Sequence, residues 1–174
     1  MKKIARKKSK RLHKSPSSKI NWKVLITCLL IVFIISIIGS LFTTSSVNSQ
    51  WYNSIKPSIT PPSWVFPIAW TILYIMIAFS MYYAWVSSKN NKQRKIISIL
   101  FTVNLLLNIL WSILYFNNHN ILGAFIDLIL LWISIALLFF TTFTISRRSA
   151  YLLVPYFLWV TFAGILNYLS LNLI

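Results

Sequence analysis

The chain has 174 residues, 57% hydrophobic and 10% charged, and its 17 Lys/Arg face a single acid, Asp127, for a formal net charge of +16. Soluble domains are roughly 45–50% apolar and about 25% charged, so too few polar side chains remain to cover a water-facing surface, and the composition is that of an integral membrane protein. One acid excludes paired-carboxylate glycosidase chemistry and two-metal phosphoryl transfer, three scattered glycines (Gly39, Gly123, Gly164) exclude a phosphate-cradling loop, and one cysteine (Cys28) with two histidines leaves no intrachain disulfide and no convincing metal site.

In chain order, residues 1–21 are a basic tail. Ten Lys/Arg fall within the first 23 residues with few large apolar groups, too little to bury a core, so a disordered cytoplasmic segment is expected. Residues 22–174 form one membrane domain with five hydrophobic stretches: Trp22–Phe42, Trp64–Val86, Ile96–Phe116, Ile121–Ile145 and Ala150–Leu173. Each suffices to cross about 30 Å of hydrocarbon as a helix of about 20 residues. Backbone groups in lipid must pair internally, and these runs lack the alternation of barrel strands, so the fold class is an all-α bundle of five transmembrane helices. The first stretch has the basic flank of a signal peptide, but its length and the absence of a small-residue cleavage site favour a retained helix.

The tail, the Ser87–Lys95 connection (Lys89, Lys92, Arg94, Lys95) and the Ser146–Ser149 connection (Arg147, Arg148) fall on one side, and only Lys56 on the other. The excess puts the N-terminus in the cytoplasm and the C-terminus outside. Two outer connections follow from this. Asn117–Asn120 is short and contains His119, whereas Thr43–Ser63 is long and reads as a lid or binding loop, stiffened by Pro57, Pro61 and Pro62.

Polar groups inside the spans are expensive and face the bundle interior. Asn104, Asn108, Trp111, Ser112 and Tyr115 share one helical face, as do Pro155, Trp159, Ala163, Asn167 and Ser170, and Trp70, Tyr74, Met81 and Trp85. Such stripes serve helix packing or, beneath an aromatic lid, wall a cleft for a flat apolar molecule. Trp22, Trp64 and Trp85 suit interfacial anchors. Asp127, seven residues into the fourth span, is either a buried structural partner or a functional acid.

From Trp51 onward the sequence resembles a known family. WYNSIKPSITPPSWVFPIAWTILY (Trp51–Tyr74), LNILWSILYF (Leu107–Phe116), GAFIDLILLW (Gly123–Trp132) and PYFLWVTFAGILNY (Pro155–Tyr168) are similar, in order and spacing, to the tryptophan-rich TspO/translocator-protein family, also called peripheral benzodiazepine receptors. The resemblance implies a five-helix bundle, commonly a homodimer, in a prokaryotic cell membrane. It requires no cofactor and binds tetrapyrroles such as protoporphyrin IX and haem, or other lipophilic small molecules, in a pocket open to the outer side. It implies a ligand site of Trp51, Trp70, Asn108, Trp111, Trp159 and Ala163, with Asp127 matching the family's acid on the fourth helix, and no catalytic residue. Porphyrin transport and light-dependent porphyrin breakdown are the alternatives it leaves open. Two departures stand out: Phe66-Pro67-Ile68 displaces the proline that many members carry, and no basic residue follows Tyr168 to complete the cholesterol motif of some members. The tail lies beyond the resemblance; tethered beside the cytoplasmic leaflet and lacking interleaved aromatics, it suits anionic lipid rather than nucleic acid.

Overall fold

The computed structural model describes residues 20–44, 46–47 and 49–173, so nearly all of the basic tail lies outside the described residues. The described residues contain only helices: α1 (Trp22–Thr43), α2 (Gln50–Ile55), α3 (Val65–Ser87), α4 (Asn91–Ser112), a π-helical turn (Ile113–Asn117), α5 (Ile121–Ile145), α6 (Arg147–Leu152) and α7 (Val154–Leu171). Five spans among them are long and apolar enough to cross a membrane, α4 with the π turn and α6 with α7 each counting as one. The five-helix expectation is met.

Local chemistry sets the boundaries. Asn21 caps α1, its side chain accepting from the Val24 N–H at 3.3 Å. α4 begins five residues before the apolar run that marks it in the sequence, because Asn90 accepts from the Gln93 N–H at 2.9 Å and starts the helix in its charged segment. The last span, expected as one helix, is broken at Leu153. Pro155 has no N–H to return to the carbonyl four residues back, so α6 cannot run on into α7. The long outer connection, read from sequence as a loop, contains α2, capped by Ser49 through the Tyr52 N–H at 3.1 Å.

α1 lies on α3, α4 on α5, α5 on α7, and α6 on α3. The outer surface is apolar, and the polar groups of the spans are gathered inside among apolar core side chains. Leu30, Phe33, Ile34 and Leu41 of α1 point outward, as do Phe140 and Leu158, while Asn104, Ser134, Thr142, Ser149 and Asn167 are buried. In lipid the helices gain nothing by hiding leucine from leucine, so cohesion comes from close packing and interhelical hydrogen bonds. Ser80 on α3 and Ser149 on α6 each donate to the other's backbone carbonyl, at 2.9 and 2.8 Å. Asn104 on α4 donates to Ser134 on α5 at 2.8 Å.

The stripe on α4 is buried as its spacing predicts, with Trp111 partly so. On α3 the fully buried line is Leu73, Ile77, Ser80 and Ala84, and Trp70, Tyr74, Met81 and Trp85 stand beside it, half-buried. On α7 the core residues are Tyr156, Val160, Asn167 and Ser170, and Pro155 is exposed. The α3 stripe and the first half of the α7 stripe are therefore about one residue out of phase with the deepest core, whereas Asn167 and Ser170 are buried as their spacing predicts. Trp22 and Trp64 are largely exposed at helix ends, and Trp85 carries the Arg94 guanidinium over its ring at 5.4 Å.

Candidate functional site

At the end of the bundle opposite the Lys/Arg-bearing turns, α1, α3, α4 and α7 splay around a cavity of about 410 Å³. Its walls carry Phe66, Trp70, Tyr74, Trp111, Tyr115 and Phe116. Its roof is the connection between α1 and α3, which contributes Val47, Tyr52, Pro57, Thr60 and Ser63. The roof is fastened to the π turn. Ser46 donates to the Phe116 carbonyl at 3.2 Å, and the Tyr52 ring lies 5.8 Å from that of Phe116. Burial, with the Tyr115 phenol adding to it, pushes the Tyr52 hydroxyl up to about 12.

A continuous hydrogen-bond network holds the inner wall. Tyr74 donates to Asn108 Oδ1 at 2.6 Å, Asn108 Nδ2 donates to the Tyr156 hydroxyl at 3.3 Å, and Tyr156 donates to Asn104 Oδ1 at 3.3 Å. Beside it the Trp111 indole donates to Asn167 Oδ1 at 3.1 Å, and Asn167 donates to the Ile121 carbonyl at 3.0 Å. With their polar edges engaged, Trp111 and Asn108 present fixed faces to the cavity. Trp111 also stacks on Tyr115, with ring centroids 5.2 Å apart.

Of the six residues assigned to the ligand site, Trp70, Asn108, Trp111 and Ala163 line the cavity, together with Tyr74, Ser112, Tyr115, Asn167 and Ser170 of the helical stripes. Trp51 and Trp159 do not. The buried face of α2 carries Tyr52 and Ile55, and a helix turns about 100° per residue, so Trp51 is swung onto the neighbouring outer loop. There it stacks on His119 at 3.8 Å, in a loop where His119 takes a positive φ of 52°. Trp159 stands behind Phe66, edge to face at 5.9 Å, and the Phe66 ring occupies the wall. Asp127 is 3% exposed, and neither carboxylate oxygen has a hydrogen-bond partner among the described residues. Lys56 is exposed at the end of α2 and does not line the cavity. Sequence reasoning missed Gly39, Tyr52 and Phe66 in the lining; Trp51 and Tyr52 stand four and three residues before Ile55, so spacing alone did not choose between them.

The arrangement can hold a flat, largely apolar molecule against rigid aromatic faces, with few polar groups to orient it. A model of the TspO/MBR family matches residues 27–171. The tryptophan-rich protein TspO of Archaeoglobus fulgidus is 40% identical over 145 residues, covering 83% of this chain and 92% of that one. The namesake from Chlorobaculum tepidum is 34% identical, covering 84% and 92%. The human translocator protein is 30% identical, covering 75% and 78%. The protein is thus a multi-pass integral membrane protein whose bacterial and archaeal relatives fit a prokaryotic membrane, and the match over nearly all of its described helices shows that the chain belongs to the TspO/MBR family.

Proposed function

We propose that the protein binds tetrapyrroles, protoporphyrin IX foremost, and related flat lipophiles in the roofed cavity, as a receptor or sensor rather than as an enzyme. The family, with its tryptophan-rich sensory and translocator members, supports a membrane sensor or receptor role. The observation that carries the reading to a ligand is the cavity itself. Its 410 Å³ falls within the roughly 300–1,000 Å³ of small-molecule sites, which combine apolar walls with few polar groups. Rigid aromatic faces suit a rigid planar ligand because little ordering entropy is lost on binding. A macrocycle would slide between Trp70 and Trp111, with its carboxylates left at the mouth near Lys56, the one cation at that end of the described bundle. The cytoplasmic end, carrying Lys89, Lys92, Arg94, Lys95, Arg147 and Arg148, would rest on anionic headgroups.

The test is a titration of detergent-solubilised protein with protoporphyrin IX, followed by the Soret band and by tryptophan quenching corrected for porphyrin absorbance. Trp70→Phe probes the wall, and Trp132→Phe, on the lipid-facing side, is the control. Saturable binding that weakens in Trp70→Phe and not in Trp132→Phe is expected. Folded wild-type protein without saturable binding overturns the reading.

A further inference from the structure

The cavity floor consists of the deepest lining residue of each helix: Gly39 on α1, Tyr74 on α3, Asn108 on α4 and Ala163 on α7. Ser112 lies one turn above Asn108, buried and lining the same space. Two hydroxyls here are unequally used. Tyr74 commits its proton to Asn108, which leaves the phenol oxygen free to accept. Ser36, Ser40, Ser88, Ser134 and Ser170 all return their proton to a carbonyl three or four residues back. Ser112 has no such bond among the described residues, so its hydroxyl can both donate and accept. It is also the last residue of α4 before the π-helical turn, and such widened turns concentrate at functional sites.

Gly39 completes the arrangement. A methyl group at this position would stand 3.8 Å from the Tyr74 hydroxyl and 3.9 Å from Ser112 Oγ, the nearest atoms outside its own stretch of α1. The missing side chain therefore leaves open a small space flanked by two hydroxyls, on a floor whose other polar group, Asn108, is already bonded to Tyr74 and Tyr156. Among the described residues no cation lines the cavity, and a carboxylate seated there would be a buried, unpaired charge. The space fits an uncharged group that both gives and takes a hydrogen bond.

We propose that Gly39, Tyr74 and Ser112 form a polar niche that seats an uncharged hydroxyl-type group at the leading edge of the bound lipophile, and so sets which ligands the cavity prefers. The proposal rests on the tetrapyrrole reading and adds the part of the ligand that is recognised. A porphyrin with its carboxylates at the mouth brings its opposite edge to this floor.

The test compares protoporphyrin IX with haematoporphyrin, which keeps the macrocycle and carboxylates and replaces the two vinyl groups with hydroxyethyl groups. Dissociation constants for both are measured on wild type, Ser112→Ala and Gly39→Ala, the second being a helix-favouring change. Ser112→Ala is expected to weaken haematoporphyrin relative to protoporphyrin IX by about two- to tenfold, the value of one hydrogen bond. Gly39→Ala, by filling the niche, is expected to shift the ratio the same way. A ratio of the two constants that is unchanged in both variants overturns the niche while the tetrapyrrole reading stands. Wild type that binds neither porphyrin overturns both.

Discussion

Tyr156→Phe isolates the node on which the bundle's polar interior turns. Tyr156 is 0% exposed, and its hydroxyl accepts from Asn108 and donates to Asn104, each at 3.3 Å. Asn108 also accepts from Tyr74 on α3, and Asn104 donates to Ser134 on α5. One oxygen therefore links α7 to α4 and, through it, to α3 and α5. The substitution keeps the ring and deletes the two bonds, worth about 0.6 kcal/mol each between membrane helices. It also strands the Asn104 carbonyl oxygen in the core, which costs about 1 kcal/mol or more. The expected loss is about 1–3 kcal/mol, read as the shift in a reversible unfolding curve of the protein in mixed SDS micelles. Trp132→Phe is the comparison: it removes one 2.9 Å bond to Thr161 on the exposed α5–α7 surface, worth about 0.6 kcal/mol. If Tyr156→Phe proves no more costly than Trp132→Phe, the network does not hold the bundle.

Asn120 accepts from the Gly123 N–H at 2.8 Å at the start of α5; Asn120→Ala should cost about 1 kcal/mol and speed hydrogen exchange in the first turn of α5, and unchanged exchange there would refute the cap. Tyr52 gives a pH prediction for the roof. Its hydroxyl is raised from 10.0 to about 12 by burial, so the closed roof disfavours the phenolate. The stabilisation is complete below pH 10 and is lost as pH rises from 10 to about 12. The phenolate absorbance of wild type minus that of Tyr52→Phe should follow that upper midpoint, and titration at the ordinary value would show that Tyr52 is not seated.

The five spans were legible because lipid demands about 20 consecutive apolar residues and leaves little choice of structure. Ile121–Ile145 has the same bounds in sequence and structure. What escaped was set by contacts rather than by composition. The first turns of α4 are charged, so the hydropathy of the chain hides them, while the Asn90 cap does not. Trp51 and Tyr52 are adjacent aromatics in a six-residue helix, and only the packing of that helix on Phe116 decides which one turns into the cavity. On α7, Tyr156 rather than Pro155 faces the core. The proline had severed that helix from α6, so its phase follows the hydroxyl's partners on α4. Gly39 carried no readable signal, since its value lies in two hydroxyls from other helices that approach the space it leaves.

The floor also constrains how a transport role would have to operate. Below Gly39, Tyr74, Asn108 and Ala163 the lining ends, and the interior continues as close-packed core, with Ile77, Ile135 and Tyr156 each 0% exposed and Asn104 bonded to Ser134. A flat ligand passing straight through would have to part α4 from both α5 and α7 and break the Asn104–Tyr156–Asn108 links together. It would also leave polar groups unpaired where no water can satisfy them. The roof, by contrast, is joined to the bundle, among the described residues, by one 3.2 Å hydrogen bond at Ser46, by aromatic contacts at Tyr52 and Trp51, and by a small apolar cluster of Val47 and Ile55 with Ile121 and Ala124. The low-cost motion is therefore opening and closing at the mouth, so any lipophile that moves through this fold should enter and leave from the same end or slip sideways between helices into lipid. Sealed proteoliposomes should then show porphyrin uptake that saturates with bound protein, and sustained accumulation in the lumen would require a break in this core.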